Sequence, residues 1–547
     1  MRTFRALVVD DDDDVLQKAV ESVSDRDDVE VLTASNLEDA DALVTDHFFN
    51  AAFIDLQLDK KAVKNVDGQT ILNQLRTLRP ACRRLLLTVH FNDYRDEMFR
   101  LLDPQDRLID GAFDKESFGS LFADVLSEDA QDWLHAPFVI ENLQELFTVL
   151  AERSMPSSGT LRGRSVQATP TELDYVVSRL FGQGVAPDDG ARRGNDGLQK
   201  IHLQPLTGGK SRSIVTVGRP FDGSNGQGIH CVVKIGSRAD TVEEVRRYER
   251  FVRYRVSLHR RVELLGSSLG DALGAVCYSF AGRSPDAITD LQSLMDEKDP
   301  NVLTYLEQLL GDAEEWYAEN QFGDDLAKHF FDAYDLDGRA AIETARSFSE
   351  QRAHEFGARK VGNELIFEND NKVWLPTDQT LGAGYLRGKF NERIVHGDLN
   401  ASNVIVSDDG DLTLIDFRHT ARGPYAIDFA ALHASIRLSP PSWQGCAREA
   451  VKIETNEFRL WRQDWTQADR RPADAPPLPY WIQVASTLMR LAFSSLNGLT
   501  KREYASTCLL YALRIFRIEK LDAEVRFRLL LWISALCRVL DAESERS

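Results

Sequence analysis

The sequence lacks the features expected of membrane-embedded, disulfide-stabilised or nucleic-acid-binding proteins. Its six cysteines form no C-x-x-C pair and no zinc-ligand spacing, which favours reduced thiols in apolar surroundings. The apolar stretch 529–540 is too short to span a membrane and is interrupted by Arg538. With 65 Lys and Arg against 86 Asp and Glu, the net charge of −21 argues against nonspecific binding to nucleic acid or to an anionic membrane surface.

Other absences narrow the class further. The eleven histidines include no metal-binding pair at helical spacing. The amino terminus carries Arg2 and Arg5 but passes directly into a strand and an acidic run, unlike a signal peptide. These observations predict a cytoplasmic protein. The length of 547 residues suits two to four domains, and an apolar content of 43% is sufficient for proper cores.

The most informative segment contains three oxygen-bearing side chains at fixed spacing. Asp398 follows an apolar strand, Asn403 comes five residues later, and Asp416 ends the apolar run 412–415. Phosphoryl transfer requires a carboxylate that orients or deprotonates the acceptor hydroxyl, and oxygen ligands that hold Mg²⁺ against the phosphates. Asp398 suits the first role, and Asn403 and Asp416 suit the second.

The sequence His396-Gly397-Asp398-Leu399 resembles the catalytic loop of the aminoglycoside phosphotransferase and choline kinase branch of the protein-kinase-like fold. The resemblance implies an α+β two-lobed domain that uses ATP and Mg²⁺, with a large helical C-terminal lobe. It also implies that His396 braces the loop and that Asp428 helps to hold it. Asp428 comes only twelve residues after Asp416, which leaves no room for a long activation segment and favours small-molecule acceptors.

An ATP-facing lobe is expected upstream of this loop. Gly208 and Gly209 precede the β-prone run 214–217, and glycines let a backbone approach phosphate closely. A simple hairpin turn explains these two glycines equally well.

Lys234 lies within an apolar strand, where a buried ammonium group needs a partner. The resemblance implies that Lys234 binds the α- and β-phosphates and pairs with a helical Glu. In the predicted helix 241–252, Glu244 is the preferred partner and Glu249 is the second choice.

Residues 1–128 alternate between short apolar strands and amphipathic helical patterns. Strands are predicted at 5–9, 51–54, 84–87 and 111–114, and helices at 15–23, 37–44, 69–78, 93–102 and 118–126. This alternation predicts a flavodoxin-like, doubly wound α/β domain with a parallel sheet covered on both faces. The site of such a sheet lies at the carboxyl ends of its strands, which here carry Asp10, Asp11, Asp55, Thr88 and Lys115.

These five residues resemble the active site of bacterial response regulator receiver domains. Clustered carboxylates repel one another unless a hard cation such as Mg²⁺ lies among them. The resemblance implies that Asp55 accepts a phosphoryl group from a sensor histidine kinase. It implies that Asp10 and Asp11 bind Mg²⁺ together with Asp55, while Lys115 and Thr88 contact the phosphoryl group. The alternatives are a receiver that has kept the fold without the activity and an inert flavodoxin-like domain.

Three features depart from the receiver pattern. The loop 56–66 after Asp55 is longer than usual and basic, Glu116 replaces a common Pro, and Ala112 stands where many receivers carry a switch aromatic. These departures predict intact phosphorylation chemistry without the usual Thr–aromatic output switch. No DNA-binding module of the usual response regulator kind is recognisable.

Residues 129–199 are predicted to form a helical connector and linker. An amphipathic helix is expected at 132–150, a Ser-, Gly-, Pro- and Arg-rich linker at 155–170, and a short helix at 173–180. This composition predicts that the receiver controls the kinase-like part through the connector and not through a tight, fixed interface.

The complete assignment is a receiver at 1–128, a connector at 129–199, a kinase-like N-lobe at 200–285, and a C-lobe with a helical extension at 286–547. The predicted function is a response regulator whose output is an ATP- and Mg²⁺-dependent phosphotransferase acting on an unknown hydroxyl acceptor. The alternative is a non-catalytic scaffold, controlled by the receiver, that binds nucleotide and partner proteins. No nucleic-acid or membrane partner is expected.

Overall fold

A computed structural model describes most of the chain as two compact units. Unit 1 comprises Met1–Val245 and Glu263–Phe280, and unit 2 comprises Arg246–Val262 and Ala281–Ser547. The described residues are 3–58, 67–88, 101, 108–115, 122, 138–154, 156–157, 165–181, 199–206, 213–221, 230–282, 288–311, 321–334, 336–367, 372–375, 386, 389–438, 455, 458–459, 461, 479–496, 498–518 and 521–544.

Unit 1 begins with a five-stranded parallel sheet. Its strands are β1 (Phe4–Val9), β2 (Val29–Ala34), β3 (Ala51–Asp55), β4 (Arg83–Thr88) and β5 (Gly111–Asp114). They lie in the order β2-β1-β3-β4-β5, which is the flavodoxin-like arrangement of response regulator receivers. The described helices of this sheet are α1 (Asp13–Glu21), α2 (Leu37–Asp46) and α3 (Asp67–Leu78). The predicted fold class is therefore confirmed for this region.

Both faces of the parallel sheet are buried, because successive residues of β1 belong alternately to two different apolar clusters. Ala6 and Val8 belong to one apolar cluster, and Leu7 and Val9 belong to another. Because successive side chains of a strand point to opposite faces, a sheet covered on both sides needs apolar residues at consecutive positions. The near-continuous apolar sequence of β1 meets that requirement.

The four predicted strands are present, as are the three predicted helices that fall on described residues, and one strand was not predicted. Strand β2 was not predicted, because it lies at the sheet edge and its interior residues are only partly buried. The helices predicted at 93–102 and 118–126 lie outside the described residues, apart from one residue each. Loop residues 59–66 and Glu116 also lie outside them.

The second sheet of unit 1 has six strands. They are β6 (Phe138–Ile140), β7 (Gln199–Pro205), β8 (Ile214–Phe221), β9 (Cys231–Ser237), β10 (Leu264–Leu269) and β11 (Leu273–Ser279). Their order is β10-β11-β9-β8-β7-β6, with antiparallel pairing except between β6 and β7. Strands β7 to β11 lie in the region predicted as the N-lobe, and β6 comes from the region predicted as the connector.

The connector differs from its prediction. The expected helix at 132–150 is instead the strand β6 followed by α4 (Leu143–Ser154), and the short helix is α5 (Pro170–Leu180). Thr169 caps α5 by accepting a hydrogen bond from the Glu172 amide, and Pro170 occupies the first turn, where its missing N–H costs nothing. Strand β6 was missed because a three-residue strand gives little period-two signal.

A continuous apolar cluster joins the receiver sheet to the N-lobe sheet within unit 1. It includes Phe53 of the receiver, Leu146 and Val176 of the connector helices, and Val233 of β9. The rings of Phe48 and Tyr175 lie 5.2 Å apart. The expectation of no fixed interface was therefore wrong, because the connector helices bury apolar faces that could not be assigned to a partner from sequence.

Buried charged groups reinforce this junction. Arg79, directly after α3, donates from Nε to the Val44 carbonyl and from Nη1 to Asp271 Oδ2 at 3.4 Å. Asp271 Oδ1 also accepts the amide of Ala81 at 2.9 Å. Glu172 of α5 accepts the amides that flank this turn, those of residues 272 and 273, at 2.6 and 2.8 Å. The three charged side chains are buried, so every one of these contacts matters for stability.

Helix α6 (Arg238–Arg247) continues as a π-helical turn, Tyr248–Val252, at the start of unit 2. The remaining strands of unit 2 are β12 (Ile288–Asp290), β13 (Gln321–Gly323), β14 (Ala358–Val361), β15 (Glu364–Phe367), β16 (Lys372–Trp374), β17 (Phe390–Val395), β18 (Val404–Ser407), β19 (Leu412–Leu414) and β20 (Ala421–Pro424). They form three small sheets of three strands each, β12-β18-β19, β13-β17-β20 and β14-β15-β16.

Helices make up most of the residues that the structure describes in unit 2. They are α7 (Leu291–Glu297), α8 (Val302–Gly311), α9 (Leu326–Tyr334), α10 (Gly338–Arg352), α11 (Ile427–Leu438), α12 (Tyr480–Ser495), α13 (Lys501–Phe516) and α14 (Ala523–Ser544). Helix α13 packs against α11 and α14, and all three are rich in buried residues. This confirms the predicted helical C-terminal lobe. Among the described helices, none combines the length and the apolar character that a membrane crossing requires.

Candidate functional site

Four of the five predicted site residues of the receiver sheet, all of them charged, lie within a few ångströms of one another. Lys115 Nζ lies 2.6 Å from Asp55 Oδ2 and 2.8 Å from Asp10 Oδ2. Asp10, Asp11 and Asp55 each place a carboxylate oxygen within 4.8 Å of the others, a spacing compatible with one shared metal ion. Thr88, the fifth residue, ends β4 at the same edge of the sheet.

Burial raises the pKa of the Asp55 carboxyl, and its hydrogen bond to Lys115 only partly opposes this. The pKa of Asp10 is also raised by burial, again against the hydrogen bond and charge of Lys115. Two buried carboxylates thus share one ammonium group. A divalent cation would relieve the remaining repulsion, so the oxygen donors present fit Mg²⁺.

Gly68, in the first turn of α3, lies against the backbone of Asp55. A Cβ at this position would overlap the carbonyl oxygen of Asp55. The Asp67-Gly68 pair expected after the phospho-acceptor therefore has a steric reason.

A buried ion pair joins the N-lobe sheet to α6. Lys234 Nζ on β9 lies 2.8 Å from Glu244 Oε2 on α6, and both side chains are buried. The hydroxyl of Tyr278 donates to Glu244 Oε1 at 2.7 Å. Glu249 instead forms a half-exposed pair with Arg253. The preferred partner of Lys234 is the one found, whereas Gly208 and Gly209 lie outside the described residues.

The predicted catalytic loop in unit 2 is held by Asp428. Its Oδ2 accepts the His396 amide at 2.9 Å, and its Oδ1 accepts the Gly397 amide at 2.8 Å. Asp428 is fully buried in the first turn of α11, so these charge-assisted bonds fix the backbone just before Asp398. Gly397 has φ of +78°, and a Cβ there would overlap the carbonyl oxygen of His419.

His396 supports the same loop from the other side. It is fully buried, and its Nε2 lies 2.9 Å from the carbonyl oxygen of Ile415, which connects the loop to the residue before Asp416. Its ring centroid lies 5.3 Å from that of Phe417. These contacts are compatible with the bracing role that the family resemblance implies for His396, which stays a prediction.

Asn403 and Asp416 present oxygen atoms near Asp398. Asn403 donates from Nδ2 to the Asp398 carbonyl at 2.8 Å, which leaves its amide oxygen as the atom that suits a cation. Asp416 has φ of +60°, a left-handed conformation that is uncommon outside glycine and costs roughly 1–3 kcal/mol. The backbone bond from Ile415 to the Asn403 carbonyl, 3.1 Å, connects the two segments.

Residues 204–469 match the sequence model of the phosphotransferase enzyme family. This segment is a phosphotransferase-family domain.

Solved structures resemble each region of the chain. A CheY-like response regulator receiver domain protein from Methanospirillum hungatei is 21% identical, covers 24% of this chain and 98% of its own, and has a TM-score of 0.19. The aminoglycoside phosphotransferase APH(3'')-Id from Streptomyces rimosus is 15% identical, covers 53% of this chain and 92% of its own, and has a TM-score of 0.28. No curated protein sequence matches the chain.

Two residues that the sequence analysis did not single out contact Asp398. Tyr511 donates its hydroxyl to Asp398 Oδ1 at 2.6 Å, and Arg514 Nη1 donates to the same oxygen at 3.1 Å. Both lie on α13, beyond the 204–469 match. The one sequence signal for these two residues is their spacing of three, which places both on the same face of a helix. Helices without a functional site show the same spacing just as often.

These contacts control the ionisation of the phosphotransferase loop. Burial alone would raise the pKa of the Asp398 carboxyl, but the charges of Arg514 and His419 and the Tyr511 hydrogen bond bring it below its usual value. Burial and the charge of Arg514 lower the pKa of His419 to about 4, so this imidazole is neutral at pH 7. Asp398 is therefore ionised and Arg514 is its cationic partner.

Proposed function

We propose that the protein is a response regulator whose receiver accepts a phosphoryl group on Asp55 and whose phosphotransferase domain transfers the γ-phosphoryl group of ATP to a hydroxyl group. The proposal assigns the receiver to 1–128, the connector to 129–199, and the two lobes to 200–285 and 286–547. It places the protein in the cytoplasm, with a sensor histidine kinase as the phosphoryl donor to Asp55.

The observation that carries the proposal is the preorganised loop around Asp398. Two amides before it are fixed by Asp428, its own carbonyl accepts Asn403, and its Oδ1 accepts Tyr511 and Arg514. Enzymes gain most from groups that are already in position when charge develops. Three contacts hold Asp398 itself and two hold the residues before it, as a positioned catalytic carboxylate requires.

The chemistry follows from this arrangement. The acceptor hydroxyl oxygen attacks the γ-phosphorus of ATP, the bond between that phosphorus and the β–γ bridging oxygen breaks, and ADP leaves with the bridging oxygen. The hydroxyl proton passes to Asp398. Because the transition state is loose, Asp398 serves mainly to orient the hydroxyl, and a lowered carboxyl pKa is compatible with that role.

Oxygen donors are available for the metal ion that such a transfer requires. Asn403 and Asp416 would hold Mg²⁺, which would offset the charge of the phosphates. The Lys234–Glu244 pair would position the α- and β-phosphates. The buried Lys234 ammonium group keeps a defined direction because Glu244 binds it and the Tyr278 hydroxyl holds Glu244 in place.

The receiver would act on the phosphotransferase domain through the buried junction in unit 1. The segment from α3 to β4, which contains Arg79 and Ala81, contacts Asp271 between β10 and β11. Phosphorylation of Asp55 changes the charge at the start of the loop that leads into α3, so a shift of α3 would reach the N-lobe directly.

Turnover of labelled ATP tests the proposal. Full-length protein, Mg²⁺ and γ-labelled ATP are incubated with the small-molecule fraction of a cell extract, and label is sought in a low-mass product. Asp398→Asn should lower this transfer by about 10²-fold or more, as loss of a positioned base does. Asp408→Asn, the same change at an exposed turn, should not.

Calorimetry separates the proposal from a non-catalytic scaffold. Wild type and Asp398→Asn should bind ATP with similar, Mg²⁺-dependent affinity, whereas Asp416→Asn should lose the Mg²⁺ dependence. Nucleotide binding without transfer to any fraction would favour the scaffold. The absence of Mg²⁺-dependent binding would reject the phosphotransferase altogether.

A further inference from the structure

The surroundings of Asp398 indicate what its acceptor carries. Tyr511 and Arg514 both bind Oδ1 of Asp398, at 2.6 and 3.1 Å. Among the described residues, no hydrogen bond reaches Oδ2. One carboxylate oxygen is thus used to fix the side chain, and the other remains for an acceptor hydroxyl.

Arg514 is held in a defined orientation. Its guanidinium carbon lies 4.5 Å from the Tyr334 ring centroid and 5.3 Å from the Tyr511 ring centroid, distances typical of cation–π contacts. Tyr334 is itself fixed, since its hydroxyl donates to the Gly397 carbonyl at 3.0 Å. The guanidinium group therefore cannot turn freely.

Most of the hydrogen-bonding capacity of Arg514 is unused within the described part of the chain. A guanidinium group has five N–H donors, and here only Nη1 makes a hydrogen bond, to Asp398. The Arg514 side chain keeps 19% of its surface exposed, and that of Asp398 keeps 22%, so both remain accessible to a small molecule. A rigid, partly exposed guanidinium fork is the protein group best suited to bind a carboxylate or phosphate in bidentate fashion.

The local charges favour the same ligand. His419, 5.5 Å from Tyr334 between ring centroids, is neutral at pH 7 because burial lowers its pKa to about 4. Arg514 offsets the charge of Asp398, so this pair leaves no net negative charge to attract an ammonium group. An ammonium group beside the Arg514 guanidinium would meet repulsion, whereas an anionic group would be attracted.

We propose that Arg514 is a specificity-determining residue and that the acceptor is a small hydroxyl compound carrying an anionic group, either a carboxylate or a phosphate. This inference rests on the proposed phosphotransferase function. It arises from α13, which lies beyond the family match at 204–469, so it concerns a feature of this chain.

Charge fractionation of the acceptor pool tests the inference. Small molecules from cells that contain the protein are separated by ion exchange into anionic, neutral and cationic pools, and ADP release from ATP and Mg²⁺ is measured with full-length protein. The anionic pool should give at least about tenfold more stimulation than the others. Phosphatase treatment of that pool, followed by inactivation of the phosphatase, should abolish the activity of a phosphate-bearing acceptor and spare that of a carboxylate.

Substitutions identify the residue responsible. Arg514→Gln should raise the KM for the anionic pool about tenfold to a hundredfold, the effect of losing hydrogen bonds to a charged group, while the KM for ATP stays unchanged. Arg514→Lys keeps the charge but loses the two-pronged guanidinium group, so its KM for the anionic pool should lie between those of wild type and Arg514→Gln. Arg502→Gln, the same charge change at an exposed position of α13, is the matched control.

The possible outcomes are distinct. Stimulation by the neutral or cationic pool overturns the inference but leaves a phosphotransferase. An equal loss of kcat for all acceptors with Arg514→Gln, at unchanged acceptor KM, reduces Arg514 to a positioning residue and also overturns the inference. If Arg514→Gln does not fold, the KM of Arg514→Lys decides. Failure of every pool, despite Mg²⁺-dependent ATP binding, rejects the phosphotransferase function and the inference with it.

Discussion

Asp55 in the receiver and Asp398 in the phosphotransferase loop each lie beside one cationic side chain, but their carboxyl pKa values shift in opposite directions. Burial raises the pKa of Asp55 despite the hydrogen bond to Lys115. Burial acts on Asp398 too, yet Arg514, His419 and the Tyr511 hydroxyl together lower its pKa.

The balance between burial and favourable partners differs at the two sites. Lys115 lies between Asp55 and Asp10, and Asp11 is close enough to share a metal ion with both. Asp398 has Arg514 to itself and gains a hydroxyl donor in addition. Like charges at close range oppose ionisation, whereas a one-to-one pair favours it.

This difference suits the two kinds of phosphoryl chemistry that are proposed for the two sites. The receiver cluster has negative charge to spare, which suits a nucleophile that works together with a bound divalent cation. The Asp398 pair is balanced, which suits a carboxylate that stays ionised at all physiological pH values and orients a hydroxyl. The sharing of cations can be tested at each site.

The largest expected effect is at the receiver. Asp55→Asn should abolish labelling by radioactive acetyl phosphate in the presence of Mg²⁺, because an amide is a poor nucleophile. The same variant should keep the ATP-dependent activity assigned to Asp398, and Asp398→Asn should keep full labelling. Asp14→Asn, an exposed change in α1, is the control. Undiminished label on Asp55→Asn would overturn the assignment of Asp55 as the phosphoryl acceptor.

Much of both sites could be predicted because their residues occur in short, contiguous patterns. A strand followed by acidic residues places Asp10 and Asp55 at one sheet edge, since the carboxyl ends of parallel strands meet there. In the run from His396 to Asn403, the local backbone conformation alone places Asn403 beside Asp398. Such patterns require only local structure and the topology of one sheet.

The remaining features depend on contacts between distant segments. Arg514 is 116 residues from Asp398, and Arg79 is 192 residues from Asp271. Nothing in the sequence near either residue indicates its partner, because helical spacing alone is compatible with an ordinary packed face. The strand β6 was missed for a related reason, since its pairing with β7 is decided across 61 residues from Phe138 to Gln199.

The junction in unit 1 extends the comparison to a third cluster. Arg79 is shared by Asp271 and Glu172, and all three are buried. Arg79→Ala should destabilise the junction by about 3–5 kcal/mol, the cost of leaving buried charge without its partner. Hydrogen exchange should show loss of protection in residues 79–82 and 270–273.

A matched change supplies the control for this prediction. Arg76→Ala removes the same charge from the exposed side of α3 and should change the opening free energy by less than about 0.5 kcal/mol. Equal protection in Arg79→Ala and Arg76→Ala would mean that the junction does not depend on the shared cation.

A smaller effect is expected from the pH dependence of the same cluster. Burial and the charge of Glu172 raise the pKa of Asp271 from 3.8 to about 7. A raised carboxyl pKa stabilises the fold fully below pH 3.8, and this contribution is lost as the pH rises towards 7. The stability of wild type relative to Asp271→Asn should therefore fall by about 2–4 kcal/mol between pH 4 and pH 7. Calorimetric unfolding across this range measures the difference, and a flat difference would show that Arg79 neutralises both acids.

The smallest effects should come from the two tyrosine hydroxyls that complete one-to-one pairs. Tyr278 donates to Glu244 beside Lys234, as Tyr511 donates to Asp398 beside Arg514. Because the cation remains in each case, Tyr278→Phe and Tyr511→Phe should each cost only about 1 kcal/mol, roughly a fivefold change in rate or affinity. The changes should affect different constants, with weaker ATP binding for Tyr278→Phe and a lower kcat at unchanged ATP affinity for Tyr511→Phe. Tyr254→Phe, at a side chain that is 86% exposed, should change neither. A loss of 10²-fold or more in either variant would show that the hydroxyl, and not the cation, keeps the carboxylate in place.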